Sequence, residues 1–272
     1  MKSSLGRKLI NAPYLLWAAL FILIPLIIVA YYAFTDTEGN FSFEYIVKIG
    51  EYKEVLIRWL VYAAVATAIT LVMAYPVAYY MSRSKVSTQK MMMLLVMLPM
   101  WMNLLIRTYS WTTILEKTGL INSFLDIFGI GPFKIIGTSG AVILGMVYNY
   151  VPYMILPIYT VMTKIDNSLL EAAEDLGSNG FSKLKRVILP LSLPGVISGI
   201  TMVFVPCVST FYISQKLGGP QTQMIGDIIQ KRFDALSYNM GASLSFVMMI
   251  VILISLAIMN RFSEDDDGGI IL

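Results

Sequence analysis

Long apolar runs alternate along this chain with short polar stretches, and the length of the runs decides the reading. About twenty apolar residues in a helix rising 1.5 Å per residue cross a hydrocarbon core of about 30 Å. Six runs qualify, at roughly residues 12–34, 57–81, 91–115, 135–162, 194–213 and 241–259. The pattern predicts an all-α integral membrane protein with six transmembrane helices. The third run is interrupted by Asn103 and Arg107, and the fifth is flanked by prolines. Both need partner helices, because an unpaired backbone group or charge does not face lipid cheaply. Lys2, Arg7 and Lys8 before the first run imitate a signal peptide, but the run is too long for one and lacks a small-residue cleavage site. It reads as a retained span.

The polar intervals carry their own signals. Residues 35–56 mix charges with Phe41, Phe43 and Tyr45 and read as a short lateral helix on the outer surface. In 119–132, Leu120, Ile121, Phe124, Leu125 and Phe128 share one helical face, which predicts a second helix lying in the interface. Gly218-Gly219-Pro220 should break the fifth helix as it leaves the membrane, ahead of a mixed segment over 224–233. The acidic end, Glu264 to Asp267, reads as disordered, so the expected organisation is one membrane domain over residues 1–262 and a short tail over 263–272.

The longest soluble-looking helical segment lies in the fourth connection, about residues 164–190. Ser168 stands three residues before Glu171, the spacing of a capping box, so a helix is expected to start there. Leu169, Leu170, Ala172, Ala173 and Leu176 give it a small apolar face, and Gly177 permits a sharp turn. A second helix follows, carrying Lys183, Lys185 and Arg186 into Pro190 and Pro194. Helix, glycine turn and basic helix make a knob that another protein could grip.

Composition narrows the chemistry. The 272 residues are 57% hydrophobic and 14% charged with a formal net charge of +3. There is no histidine and one cysteine, Cys207, which excludes histidine catalysis, a Cys/His zinc site and an intrachain disulfide. No GxxxxGK[ST] sequence is present to hold a nucleotide phosphate. No catalytic residue, metal or cofactor is therefore assigned, and no stretch interleaves basic and aromatic residues as a nucleic-acid reader would. Lys2, Arg7, Lys8, Arg83, Lys85, Lys90, Lys164, Lys183, Lys185, Arg186 and Arg261 fall on one side. They outnumber Lys48, Lys53, Arg58, Lys117, Lys134, Lys216, Lys231 and Arg232 on the other. The positive-inside rule then places both termini and the 164–190 connection in the cytoplasm of a multi-pass cell-membrane protein in contact with lipid.

Glu171-Ala172-Ala173, three residues, Gly177, nine residues, then Val187-Ile188-Leu189-Pro190 resembles the EAA loop of ATP-binding-cassette (ABC) importer permeases of type I, departing only by Val187 where that family usually has Ile. The string from Pro99 to Trp111 resembles the permeases of spermidine/putrescine importers. So do Phe211-Tyr212, Gly218-Gly219, Ile225-Gly226 and Gly241-Ala242. The resemblance implies a non-hydrolytic permease subunit paired with a second permease of similar fold. It also implies a cytoplasmic ABC ATPase dimer and an extracytoplasmic polyamine-binding protein as partners. It assigns Glu171, Ala172, Ala173, Gly177, Leu189 and Pro190 to ATPase coupling.

The candidates for the substrate pathway are Trp101, Asn103, Arg107, Tyr109, Trp111, Tyr150 and Tyr212. Aromatic faces attract a polycation by about 0.5–2 kcal/mol each. The six runs contain no Asp or Glu, so carboxylates must come from loop acids such as Asp227 and Asp234 or from the partner. Read without the resemblance, Arg107 points to an anionic substrate. The nearest rival within the class is an ABC permease for another small solute, an oxyanion, ferric ion or thiamine-like cation. A channel or secondary transporter working without ATP is the rival from another class.

Overall fold

The computed structural model describes residues 13–267. The basic residues Lys2, Arg7 and Lys8 and the end of the tail at 268–272 lie outside the described residues. Five helices among the described residues are long and apolar enough to cross a membrane, and a bent pair makes a sixth span when counted as one. Among the described residues no β-strand forms beyond an isolated bridge between Thr35 and Phe41. By contacts the chain divides into two compact units, one holding residues 13–54 and 228–251 and the other the remainder.

In the smaller unit, α1 (Pro13–Ala33) shows bulky side chains to the outside along most of its length, as a span in hydrocarbon does. Its backbone widens to a π-helical turn at Ala19–Leu23, just before Pro25. A proline cannot donate to the carbonyl four residues back and crowds it, and the wider turn relieves that clash. The connection to α2 (Glu44–Lys48) is tied by its own polar groups. Asp36 Oδ1 accepts from the Glu38 and Asn40 N–H groups, both at 2.9 Å. The Asn40 N–H holds the Asp36 carboxyl below its usual range. Phe34, Phe41, Phe43 and Phe246 cluster above this turn. The lateral helix expected over 35–56 is thus reduced to α2, because the chain passes through a 3-10 turn at Ile49–Tyr52 straight into the next span.

One residue of this unit is strained. Leu236 ends a helix with φ of 58°, a conformation that glycine normally fills at this position, and its side chain is exposed. Leu236→Gly is expected to raise stability by about 1 kcal/mol, because the left-handed backbone penalises a Cβ by roughly that amount. Thermal unfolding in detergent reads this directly as a higher midpoint.

The larger unit is built on α3 (Lys53–Arg83), α7 (Ser139–Met162) and α9 (Gly180–Ser209). Gly195 and Gly199 of α9 sit four apart and face α7. A Cβ on Gly195 would lie 2.9 Å from the Pro157 carbonyl oxygen, and one on Gly199 would lie 2.7 Å from Met154 Sδ. Small residues at this spacing let two backbones approach where lipid supplies no hydrophobic drive. α3 is fastened to α9 by two hydrogen bonds. The Trp59 indole donates to the Val208 carbonyl at 2.6 Å, and the Tyr75 and Ser192 hydroxyls pair at 2.9 Å.

Two spans differ from the sequence reading. The third run breaks between α4 (Val86–Met97, extended by a 3-10 turn to Trp101) and α5 (Leu104–Leu115), and the segments Val86–Trp101 and Leu104–Asp126 meet at 91°. The α-helical part of each, 12 residues, is about 18 Å long, short of the hydrocarbon thickness. The break falls after Pro99, where Met102 is extended and Asn103 becomes the N-cap of α5, its side chain accepting from the Leu105 N–H at 2.7 Å. The fifth span ends at Ser209, not Ile213. The extended Thr210 separates it from α10 (Tyr212–Leu217), and it is α10 that Gly218 terminates. Of the stretch 119–132 expected to be helical, Leu120–Asp126 forms a helix, α6. α11 (Ile225–Asp234) and α12 (Tyr238–Asp267) are the last elements among the described residues. α12 remains helical to Asp267.

Candidate functional site

α8 (Asn167–Asp175) and the first turns of α9 form an elbow between two spans. The helix does not start on Ser168 as the capping-box spacing suggested. Asp166 is the N-cap and accepts from the Ser168 N–H at 3.0 Å, which lowers its carboxyl pKa. A carboxylate here also complements the positive end of the helix dipole. Its contribution is present above the ordinary carboxylate range and is lost only as pH falls through the lowered value.

The small apolar face expected of this helix divides in two. Leu170 and Ala173 are buried against the chain's own helices, while Leu169, Ala172 and Leu176 point out. Positions 169, 172 and 176 share a helical face. Leu176 is 88% exposed and Phe181, just beyond the turn, 75% exposed. Glu171 is also exposed.

The turn is made by Gly177, with φ of 81°. The Gly177 N–H donates to the Glu174 carbonyl at 2.8 Å and the Ser178 N–H to the Ala173 carbonyl at 3.0 Å. These paired bonds close a helix end whose carbonyls otherwise lack partners. Asn179 then caps α9 by accepting from the Ser182 N–H at 2.8 Å. α9 widens to a π-helical turn at Leu184–Ile188 before Pro190, as α1 does before Pro25. Ile188 is buried there, and Leu189 and Pro190 are exposed.

Contacts that the sequence reading missed hold the elbow in place. Glu174 and Lys183 form an ion pair across the turn. Arg83, counted above only as a positive charge, donates to the Met162 and Ile165 carbonyls and to Asn167 Oδ1. A lone arginine at a helix end gives no sequence signal for partners some eighty residues away.

The pathway candidates do not form one cluster. Trp101 and Tyr109 are 70% and 61% exposed, and Asn103 is occupied as a cap. Trp111 packs edge-on to Tyr148 at 5.2 Å and lines an apolar cavity of about 530 Å³ with Ile69, Met73 and Val147. Lys216 sits over the Tyr212 ring at 5.6 Å, so that cation face is filled from within the chain. Arg107 and Tyr150 are both buried, and Tyr150 lies within range of the Arg107 charge and of the Thr210 hydroxyl. Arg107 Nε and Nη1 have no hydrogen-bond partner among the described residues. Asp227 is the buried acid among the described residues, and its Oδ2 accepts from the Met224 N–H at 2.7 Å. Asp234 is exposed and accepts from Gln230.

Comparison with known proteins supplies the context for this arrangement. Residues 57–264 match the family described as the binding-protein-dependent transport system inner membrane component. The chain is 34% identical over 269 residues to the spermidine/putrescine transport system permease protein PotB of Haemophilus influenzae, covering 95% of this chain and 94% of that protein. Against the Escherichia coli K12 protein of the same name it is 32% identical over 259 residues, covering 91% and 94%. Its fold is similar to a chain of a bacterial alginate ABC transporter solved in complex with an alginate-pentasaccharide-bound periplasmic protein. That likeness has a TM-score of 0.80 at 14% identity and covers 96% of this chain and 95% of that one. With the family shown over most of its length, this chain belongs to the binding-protein-dependent transport system inner membrane components and has the fold of type I ABC importer permeases.

Proposed function

We propose that this chain is the permease subunit of an ATP-driven polyamine importer, carrying spermidine or putrescine inward as one half of a paired transmembrane pathway. The observation that carries the reading is its likeness, over nearly its whole length, to permeases named for spermidine/putrescine transport. The chain hydrolyses nothing itself. A second permease, a cytoplasmic ABC ATPase dimer and an extracytoplasmic polyamine-binding protein complete the machine, and both termini and the elbow face the cytoplasm. The exposed stripe of Leu169, Ala172 and Leu176 supports this placement, since a contiguous apolar face on a water-exposed knob is what a partner protein covers. ATP-driven closure of the ATPase dimer draws the two elbows together and opens the paired spans to the binding protein.

Asp227 is the carboxylate best suited to favour a polycation, because charge acts over longer range in a low-dielectric interior. Spermidine uptake into liposomes holding the full complex tests the whole reading. Uptake should require ATP and the loaded binding protein, and uptake by the purified chain alone would sink it. Asp227→Asn keeps the acceptor for the Met224 N–H and removes the charge, and it is expected to lower uptake about tenfold, or about 1.4 kcal/mol. A wild-type rate would leave Asp227 as a cap alone. The buried, part-unpartnered Arg107 favours a second reading, a permease for an oxyanion or another small solute. Competition of sulfate or phosphate with labelled spermidine separates the two.

A further inference from the structure

Arg83 is the last residue of α3, yet the hydrogen bonds of its side chain go to other elements. Nη1 donates to the Ile165 carbonyl at 3.2 Å and to Asn167 Oδ1 at 2.6 Å, and Nη2 donates to the Met162 carbonyl at 3.2 Å. Met162 ends α7, Ile165 lies in the turn after it, and Asn167 opens α8. One guanidinium therefore adds a second bond to the Met162 carbonyl, which already accepts from the Ile165 N–H at 3.3 Å, bonds the Ile165 carbonyl in the turn, and grips the first residue of the elbow helix. The negative end of the α7 dipole suits its charge.

Gln89 locks the same junction from the first turns of α4. Its Nε2 donates to the Ser82 and Ser84 carbonyls at 3.2 and 2.9 Å, and its Oε1 accepts from the Tyr159 hydroxyl at 3.0 Å. α3 is in turn bonded to α9 through Tyr75 and Trp59. The start of α8 is thus tied to α3 through Arg83, and its end to α9 through the Glu174–Lys183 pair.

We propose that Arg83 is a positioning residue for energy coupling, making the elbow helix and α3 move as one body. It rests on the reading of the elbow as the ATPase handle. A push on α8 passes through the guanidinium into the end of α3, and along α3 to α9 by way of Tyr75 and Trp59. A lysine replaces it only in part, because one ammonium lacks the planar fork that reaches three acceptors. The sequence around Arg83 holds no motif that would announce this role.

The test uses the full complex in liposomes and measures spermidine taken up per ATP hydrolysed. Wild-type uptake without ATP would defeat the underlying reading before any variant is made. With ATP dependence established, Arg83→Ala should keep the ATPase bound and hydrolysing while uptake per ATP falls about tenfold, within the range for residues that carry coupling. Arg83→Lys should fall part of the way. Asn167→Ala should give a smaller loss, and the Arg83→Ala/Asn167→Ala double variant should lose no more than Arg83→Ala alone, since both remove the same bond. A wild-type ratio in Arg83→Ala, or full additivity in the double variant, would overturn the proposal. If Arg83→Ala fails to assemble, Asn167→Ala at its exposed position decides: a lowered ratio supports the role, and an unchanged one rejects it.

Discussion

Leu176→Asp is expected to detach the ATPase while leaving the permease chain folded. Leu176 is 88% exposed at the tip of the elbow, so the substitution removes almost nothing from the protein's own core. Exposed substitutions of this kind usually change stability by less than about 0.5 kcal/mol. In a docked complex the same side chain would be buried, and a carboxylate placed there would lose its water without gaining a partner. Loss of a central apolar anchor costs about 2 kcal/mol or more, roughly thirtyfold in Kd. Co-purification should therefore recover the second permease with the variant but little ATPase, while the unfolding midpoint stays that of the wild type. Phe181→Asp should act in the same direction, because Phe181 lies beyond the same turn and is 75% exposed. Leu170→Asp offers the contrast. Leu170 points inward, so its replacement should lower the chain's own stability first.

The contrast between Leu170 and Leu176 also shows where sequence reading reached its limit. Apolar spacing located the spans and the elbow, because twenty-residue runs and a polar helix between them are one-dimensional signals. It could not divide the elbow's leucines into those facing the protein and those facing outward, since residues three or four apart on a short helix carry no label for inside. The capping box failed for a related reason. Ser168 and Glu171 have the right spacing, but Asp166 two residues earlier caps a helix equally well, and the helix starts from it.

Pro99 and Asn103 did hold a legible sign that the third span breaks, a proline followed by a capping residue, but an apolar count over 91–115 hid it. Gly195 and Gly199 were visible as a pair four apart, and their meaning came only with α7 across from them. The partners of Arg83 were beyond reach from sequence, being some eighty residues away along the chain. Of the pathway candidates, Arg107 and Tyr150 lie near one another, whereas Trp101 and Tyr109 face outward. Residue type alone could not sort a belt aromatic from a buried one.

Gly177→Val is expected to abolish coupled uptake for a reason that involves no collision. An added Cβ at Gly177 would meet nothing within 4 Å, so the site has room. The obstacle is the backbone, held at φ of 81° by the bonds from the Gly177 and Ser178 N–H groups to the Glu174 and Ala173 carbonyls. A left-handed conformation costs an ordinary side chain roughly 1–2 kcal/mol, and a β-branched one is a genuine outlier there. The chain can escape only by giving up the paired bonds and swinging α8 away from its seat. Leu176 would then leave its place beside Leu169 and Ala172, and the Glu174–Lys183 pair would be pulled apart. Because open space surrounds the position, Gly177→Asn should recover most of the uptake, asparagine being the residue after glycine that tolerates this conformation best. Gly177→Ala should fall between the two. The order Gly, Asn, Ala, Val in uptake per ATP would trace backbone cost, while an order following side-chain volume would mean that the turn touches a partner directly. Uptake in Gly177→Val equal to that of the wild type, in a complex that still holds its ATPase, would remove the elbow from the coupling path.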